Sequence, residues 1–198
     1  RDQTVVTNGF FGAEDPDNGD SFTFSIPEGQ DAGGRFDVNG SGQLFVTNGL
    51  LLDHEDDNSH TVTIRVTDLG GLQREEEFSI AVLDENEPPT NILLSNDAID
   101  ENNEPGAEIG GLDPVDPDEN DEHSFSLVND AGGVFSLDGD TLVINISADH
   151  ETQDEYTVRV RVEDGAEQAF ERDFLIFIDN INDAPHAGSD FVRTSLNT

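Results

Sequence analysis

Side-chain oxygens are concentrated in two short stretches of this sequence, residues 84–89 and residues 180–185. The first stretch reads Asp-Glu-Asn-Glu-Pro-Pro and the second reads Asn-Ile-Asn-Asp-Ala-Pro. Carboxylates and amides are the donors that a hard cation such as Ca²⁺ takes in sets of six to eight, and the prolines keep the chain extended. A flexible linker would instead be rich in glycine and serine. Both stretches are therefore predicted to be stiff junctions that bind calcium.

Each junction follows a run in which apolar and polar residues alternate. The apolar members are Phe78, Ile80 and Val82 before the first junction, and Phe174, Ile176 and Ile178 before the second. Alternation with a period of two is typical of a β-strand with one buried face. Other runs along the chain show the same period, and no stretch shows a convincing helical period. The sequence therefore predicts an all-β protein in which each junction begins where a strand ends.

The second half of the sequence repeats the first at a spacing of about 96 to 101 residues. Asp-Pro-Asp occurs at 15–17 and at 116–118, and Asp-His-Glu occurs at 53–55 and at 149–151. Each repeat holds about seven short runs with strand character, separated by turns, which is the pattern of a β-sandwich. Two sandwiches in tandem are therefore predicted.

The balance of charge restricts the partners of the chain. It has 45 acidic residues against eight basic ones, all arginine, for a formal net charge of −37. Such a field repels nucleic acid and anionic membranes, and no run of 18 apolar residues is present. We therefore predict no nucleic-acid binding and no membrane insertion. Disorder fits poorly with 13 phenylalanines, so the acidity is explained either by divalent cations or by adaptation to high salt.

The repeated motifs resemble those of cadherin repeats, of the kind found in large bacterial adhesins. The resemblance covers nearly the whole chain and combines Asp-x-Asp turns, a variant of the Leu-Asp-Arg-Glu motif at 52–55, an early Glu and two acidic linkers. It implies two tandem Greek-key β-sandwich domains, cadherin- or immunoglobulin-like, joined by a calcium-binding linker. The calcium ligands that it implies are Asp15, Asp17, Asp53, Glu55, Asp68, Asp84, Asn86, Glu87, Glu101, Asp116, Asp118, Asp149, Glu151, Asp164, Asn180, Asn182 and Asp183.

The expected domains are a first repeat at 1–87, a second repeat at 88–184 and a tail at 185–198. We expect the first repeat to lack its own early Glu and first strand, because the cadherin pattern places both before the motifs at 15–17. The second linker has Asn180 where the cadherin pattern has aspartate. The tail either begins a third repeat or supplies the strand that the first repeat lacks, and both possibilities remain open.

One ion at the middle junction keeps all of its implied ligands. These ligands are Asn86, Asp116, Asp118 and Asp164. By the same resemblance, the other ions of that junction would also need an early Glu from the first repeat, which we expect to be missing. We therefore expect the ion nearest the second repeat to be the more tightly bound one.

Other kinds of site compete poorly with this interpretation. EF-hand loops starting at Asp15 or Asp116 are excluded, because both have aspartate in place of the glycine at position six and an apolar residue in place of the glutamate at position twelve. His54 and His150 stand alone among oxygen donors and are predicted to be structural instead of zinc ligands. No nucleophile elbow, phosphate loop or His-Glu-x-x-His motif is present. We predict that the chain is not an enzyme.

Carboxylates at the ends of domains indicate a binding module. The resemblance implies a calcium-binding adhesion module of a secreted or cell-surface bacterial protein, binding exopolysaccharide or a cell-envelope glycan in biofilm matrix or cell adhesion. Alternatives are a calcium-rigidified spacer or homophilic protein-adhesion repeat, and a non-catalytic module of a polysaccharide-degrading enzyme. The chain has no tryptophan and one tyrosine, Tyr156, so a sugar partner would be held through calcium bridges to acidic groups.

Overall fold

The computed structural model of the chain describes residues 11–14 and 21–184. The chain divides into two compact units, Arg1–Glu87 and Pro88–Thr198. In the described ranges every regular element is a β-strand, apart from one short 3₁₀ turn at Gly49–Leu51. The all-β prediction is therefore confirmed. Among the same residues, no helix has the length and apolar character needed to cross a membrane.

The first unit contains five strands in its described part. They are β1 (Thr23–Ser25), β2 (Phe36–Val38), β3 (Leu44–Val46), β4 (Ser59–Thr67) and β5 (Gln73–Ala81). β4 lies between β1 and β5 in an antiparallel sheet, and β2 pairs with β3 in a two-stranded sheet. The nine-residue pairing of β4 with β5 brings the chain to the start of the first acidic junction.

The core of the first unit follows from the alternation in β4. Val62 and Ile64 are 0% and 4% exposed, and they pack with Phe36, Leu44 and Leu52 in one hydrophobic cluster. Complete burial of an aliphatic side chain of this size contributes roughly 1.5–3 kcal/mol to folding. The buried Leu52 fixes the chain immediately before the acidic segment at 53–55.

The second unit contains eight strands in its described part, residues 88–184. They are β6 (Asn91–Leu94), β7 (Ala98–Asp100), β8 (Ala107–Val115), β9 (Ser124–Asn129), β10 (Phe135–Asp138), β11 (Thr141–Ile144), β12 (Glu155–Glu163) and β13 (Ala169–Asp179). One sheet has the order β10-β11-β8-β6 and the other has the order β7-β13-β12-β9. β8 pairs with β11 and β9 pairs with β12, so the chain crosses between the sheets as in a Greek key.

The sequence predicted about seven strands per repeat. The described part of the second unit has eight, because its first strand divides between the two sheets at Asn96. The Asn96 amide donates hydrogen bonds to the carbonyls of Ala98 at 2.7 Å and Ile109 at 2.8 Å. Its backbone passes so close to β8 that a Cβ on Gly110 would lie 2.7 Å from the Asn96 carbonyl oxygen. Only glycine leaves room for this approach.

As in the first unit, the core of the second unit is built from the apolar residues that alternate along a strand. In β12, Val158, Val160 and Val162 are completely buried, while the intervening Arg159 forms a salt bridge with Asp173 on the neighbouring β13. Inward apolar and outward charged or polar positions thus alternate along β12. The sheets are held together by their apolar faces, and the excess of acidic side chains lies outside them and in the loops.

The repeated Asp-Ala-Gly-Gly turns have the same backbone form in both units. Ala32 and Ala131 both have φ of 54°, and the two glycines that follow each of them have φ between 73° and 88°. Three successive residues in the left-handed region explain why glycine occupies two of the three positions. The internal repeat found in the sequence is therefore also a repeat of local structure.

Candidate metal centres

The most buried acidic group lies in the second unit and consists of Asp116, Asp121 and Asp164. Asp116 follows β8, Asp121 lies in the loop before β9, and Asp164 follows β12. One carboxylate oxygen from each lies within 4.8 Å of the others. Asp164 is only 6% exposed, and the Asp116 side chain is 4% exposed. The β8–β9 loop and the turn after β12 therefore bring three carboxylates together.

Backbone donors hold two of these carboxylates in place. Asp164 Oδ1 accepts hydrogen bonds from the N–H groups of Ala166 and Gln168, both at 2.8 Å. Asp116 Oδ1 accepts from the N–H of Asp118 at 3.1 Å. The predicted Asp-x-Asp turn is thus a local turn whose first carboxylate binds the backbone of its second aspartate.

His123 contacts the other oxygen of Asp116. Its Nε2 lies 2.7 Å from Asp116 Oδ2, and its side chain is 10% exposed. A hydrogen bond donated from Nε2–H to the carboxylate fixes the orientation of Asp116. It also uses the His123 Nε2 atom, which is then not available as a metal ligand. The same kind of histidine–carboxylate pairing orients ligands around many protein metal sites.

Two features of the group suit a hard cation: all of its donors are carboxylates, and one buried oxygen has no hydrogen-bond partner in the described residues. All three ligands are carboxylates, the donors that Ca²⁺ prefers. Asp121 Oδ2 is buried and has no hydrogen-bond partner among residues 11–14 and 21–184. Burial raises the pKa of Asp121, and the charges of Asp118, Asp116 and Asp164 raise it further. A cation beside this oxygen would remove both penalties.

A second acidic group lies at the other end of the second unit and consists of Glu101, Glu151 and Asp183. Glu101 is 2% exposed, and its two oxygens accept hydrogen bonds from the N–H groups of His150 and Ile181. These bonds lower the pKa of Glu101, and the bond from His150 has the larger effect. Asn180 donates to Glu151 Oε1 at 2.8 Å. The structure thus brings the implied early Glu together with residues of the second linker and of the 149–151 motif.

A third group lies in the first unit and consists of His54, Glu55 and Asp84. The pKa of Glu55 is raised, first by loss of solvent around its carboxyl, then by its hydrogen bond with Asp53 and by the charges of Glu87 and Asp53. His54 Nδ1 lies 2.9 Å from the carbonyl oxygen of Val82. The ring therefore contacts the backbone at the end of the first unit, and it also lies beside the carboxylates of Glu55 and Asp84; its structural role stays a prediction.

The structure gives other implied ligands local roles. Asp149 binds the N–H and the hydroxyl of Thr152, and Asp68 Oδ1 accepts from the N–H of Leu72 at 2.8 Å. The linker amides repeat one geometry, since each donates to the carbonyl of the next residue: Asn86 to Glu87 and Asn182 to Asp183. Asp15 and Asp17 lie outside the described residues.

The sequence interpretation missed Asp121 and His123 as members of the buried group. A signal for Asp121 was present, because the pattern Asp-Pro-Asp-x-x-Asp occurs both at 15–20 and at 116–121. His123 has no such signal, since residue 22 at the corresponding place is phenylalanine.

Comparison with known proteins defines the class of these domains. No family model matches the chain. It is similar to protocadherin Fat 4 of Mus musculus, with 32% identity over 171 residues, which are 82% of this chain and 3% of that protein. It is also similar to protocadherin-11 X-linked of Homo sapiens, with 29% identity over 159 residues, 77% of this chain and 12% of that protein.

A solved structure agrees with these relatives. The protocadherin gamma B4 extracellular domain is similar with a TM-score of 0.59 and 28% identity, over 82% of this chain and 27% of that one. The chain is therefore built of cadherin-like domains, as the resemblance of its motifs implied. It spans only a small part of each protein to which it is similar.

Proposed function

We propose that this chain is a calcium-binding, cadherin-like adhesion module of a secreted or cell-surface protein. The observation that carries the proposal is the group of Asp116, Asp121 and Asp164, whose carboxylate oxygens lie within 4.8 Å of one another. Bringing several like charges together with little access to water is unfavourable unless a cation accompanies them.

Bound calcium would neutralise the negative charge of these carboxylates and accept lone pairs from their oxygens. Asp116 and Asp164 are oriented for this task by their backbone hydrogen bonds, and His123 holds the second oxygen of Asp116. The group around Glu101 and the group around Glu55 offer further carboxylates at the ends of the two units. That calcium also stiffens the junction remains a prediction from the resemblance.

For the partner, we favour homophilic protein contacts or contacts with neighbouring repeats. The relatives are protocadherins, and the matched structure is the extracellular domain of another protocadherin, which supports an extracellular location for this chain. Polysaccharide binding and a bacterial source stay predictions from the sequence. The single tyrosine gives the glycan version little support, because the Tyr156 ring is half-buried and packs edge-on against Phe135 at 5.4 Å between centroids.

The test of calcium binding is calorimetric unfolding of the full chain with calcium and with chelator. Ligand at 100 times its Kd stabilises by about 2.7 kcal/mol per site, which corresponds to a rise in melting temperature of roughly 10–20 °C for a domain of this size. Sodium chloride at matched ionic strength is the control. Equal melting in all three conditions would contradict the proposal, and the full rise with sodium chloride alone would favour adaptation to high salt.

The test of adhesion uses beads that carry the full chain. Homophilic contact predicts that the beads aggregate in calcium and disperse in chelator, whereas beads carrying Asp164→Asn aggregate less. Asp140→Asn is the matched control, because Asp140 is an exposed aspartate of the same unit. Beads that stay dispersed although calcium raises the melting temperature would overturn homophilic adhesion and leave calcium binding intact.

A further inference from the structure

The loop between β8 and β9 adds a carboxylate that the cadherin resemblance does not include among the implied ligands. The N–H of Asp121 donates to the carbonyl of Asp118 at 3.2 Å. This turn folds the loop back, so that the Asp121 side chain lies beside Asp116 and Asp164 instead of pointing away from them.

The hydrogen bonds of the three carboxylates are unequal. Asp164 accepts from two backbone N–H groups, and Asp116 accepts from the N–H of Asp118 and faces the His123 ring. Asp121 Oδ2 is buried as well, yet it has no donor in the described part of the chain. It is thus the one oxygen of the group that folding has removed from water without a replacement among these residues.

Such an arrangement destabilises the folded unit when no cation is present. An ionised carboxylate with a buried, unpartnered oxygen is unfavourable. The negative charges of Asp118, Asp116 and Asp164 add to this penalty, and the charge of His123 opposes them more weakly. A structural role for Asp121 would require a donor, and the described residues offer none to this oxygen.

We propose that Asp121 is a direct carboxylate ligand of the ion that Asp116 and Asp164 hold. The inference rests on the proposed calcium binding and extends the ligand set of that site. Three carboxylates, those of Asp116, Asp121 and Asp164, then surround one divalent cation. Asp121 therefore has opposite effects in the two states: it destabilises the metal-free unit and stabilises the calcium-bound unit.

The test compares Asp121→Asn with Glu122→Gln in the full chain. Both substitutions remove one negative charge from adjacent positions, but Glu122 is exposed. Calcium titrations followed by amide NMR report the site directly, because the Ala166 and Gln168 N–H groups bind Asp164 Oδ1. We expect Asp121→Asn to raise the Kd at these amides at least tenfold and Glu122→Gln to change it less than twofold. The Ile181 amide, which binds Glu101, should titrate equally in both variants.

Melting temperatures provide the second measurement. Asp121→Asn should raise the melting temperature of the second unit in chelator and reduce the further increase that calcium produces. A purely structural residue would shift both states in the same direction, and that result would overturn the inference, as would an unchanged Kd at Ala166 and Gln168. If these amides do not respond to calcium even in the unsubstituted chain, the proposed calcium binding fails together with the inference.

Discussion

Glu101 Oε1 accepts a hydrogen bond from the backbone N–H of Ile181 at 2.8 Å, across 80 residues of sequence. Its other oxygen accepts from the N–H of His150 at 3.0 Å. One buried carboxylate therefore joins three segments of the second unit: the turn after β7, the loop before β12 and the chain that follows β13. This arrangement gives Glu101 a structural task that does not depend on a metal ion.

We predict that Glu101→Gln destabilises the second unit even in chelator. The amide that replaces the carboxylate presents an NH₂ group to one of the two backbone donors, so one N–H loses its acceptor. Loss of a hydrogen bond to a charged acceptor lowers the melting temperature by about 5–10 °C in a domain of this size. Calorimetry measures the effect.

Glu104→Gln is the matched control for this substitution. Glu104 is exposed, so Glu104→Gln makes the same change of charge without removing the two backbone hydrogen bonds. Its melting temperature should stay within about 2–4 °C of that of the unsubstituted chain. Equal melting of Glu101→Gln and Glu104→Gln in chelator would show that the two backbone bonds contribute nothing to stability.

The strands and their buried faces were predictable from the sequence. Alternation at Val62 and Ile64, and at Phe174, Ile176 and Ile178, identifies the inward positions because a strand directs successive side chains to opposite faces. These positions are buried in the structure. Local pattern is sufficient here, since the periodicity of a strand does not depend on its distant neighbours.

The unpredicted features depend on contacts between distant segments. The split of the first strand at Asn96 requires the close approach of β8 at Gly110, and the pairing of His123 with Asp116 requires the loop to fold back. The resemblance implied Glu101 as a ligand, but its bonds to the backbone of distant loops have no signature in the spacing of residue types.

Burial of Leu52 should stabilise the segment that holds the acidic residues of the first unit. Leu52 is 1% exposed, whereas the preceding Leu51 is 41% exposed. Truncation of a buried leucine leaves a cavity and costs about 2–5 kcal/mol, while the exposed neighbour should cost less than about 1 kcal/mol. Denaturant unfolding of Leu52→Ala and Leu51→Ala measures the difference. Equal losses in the two variants would contradict the packing described for this unit.

The salt bridge between Asp173 and Arg159 makes the stability of the second unit depend on pH. Arg159 donates from Nε and an Nη to the two oxygens of Asp173 at 2.7 and 2.8 Å. These hydrogen bonds first, and the charge of Arg159 next, lower the pKa of Asp173 below its ordinary value of 3.8. Because the folded pKa is the lower one, the pair adds stability above pH 3.8, and this stability is lost as the pH falls through the folded pKa.

We therefore predict that Asp173→Asn melts below the unsubstituted chain at pH 6 in calcium-free buffer. The two melting temperatures should converge as the pH falls through the lowered pKa of Asp173. The difference should be no more than a few degrees, because both side chains are about half exposed and solvent screens the pair.

Glu171→Gln is the control for this prediction, since the Glu171 carboxylate lies 3.9 Å from Arg159, beyond hydrogen-bond distance. With a net charge of −37, removal of an acidic residue by itself relieves repulsion and favours folding. A lower melting temperature for Asp173→Asn but not for Glu171→Gln would therefore identify the hydrogen-bonded pair, and a difference that persists unchanged at low pH would contradict this assignment.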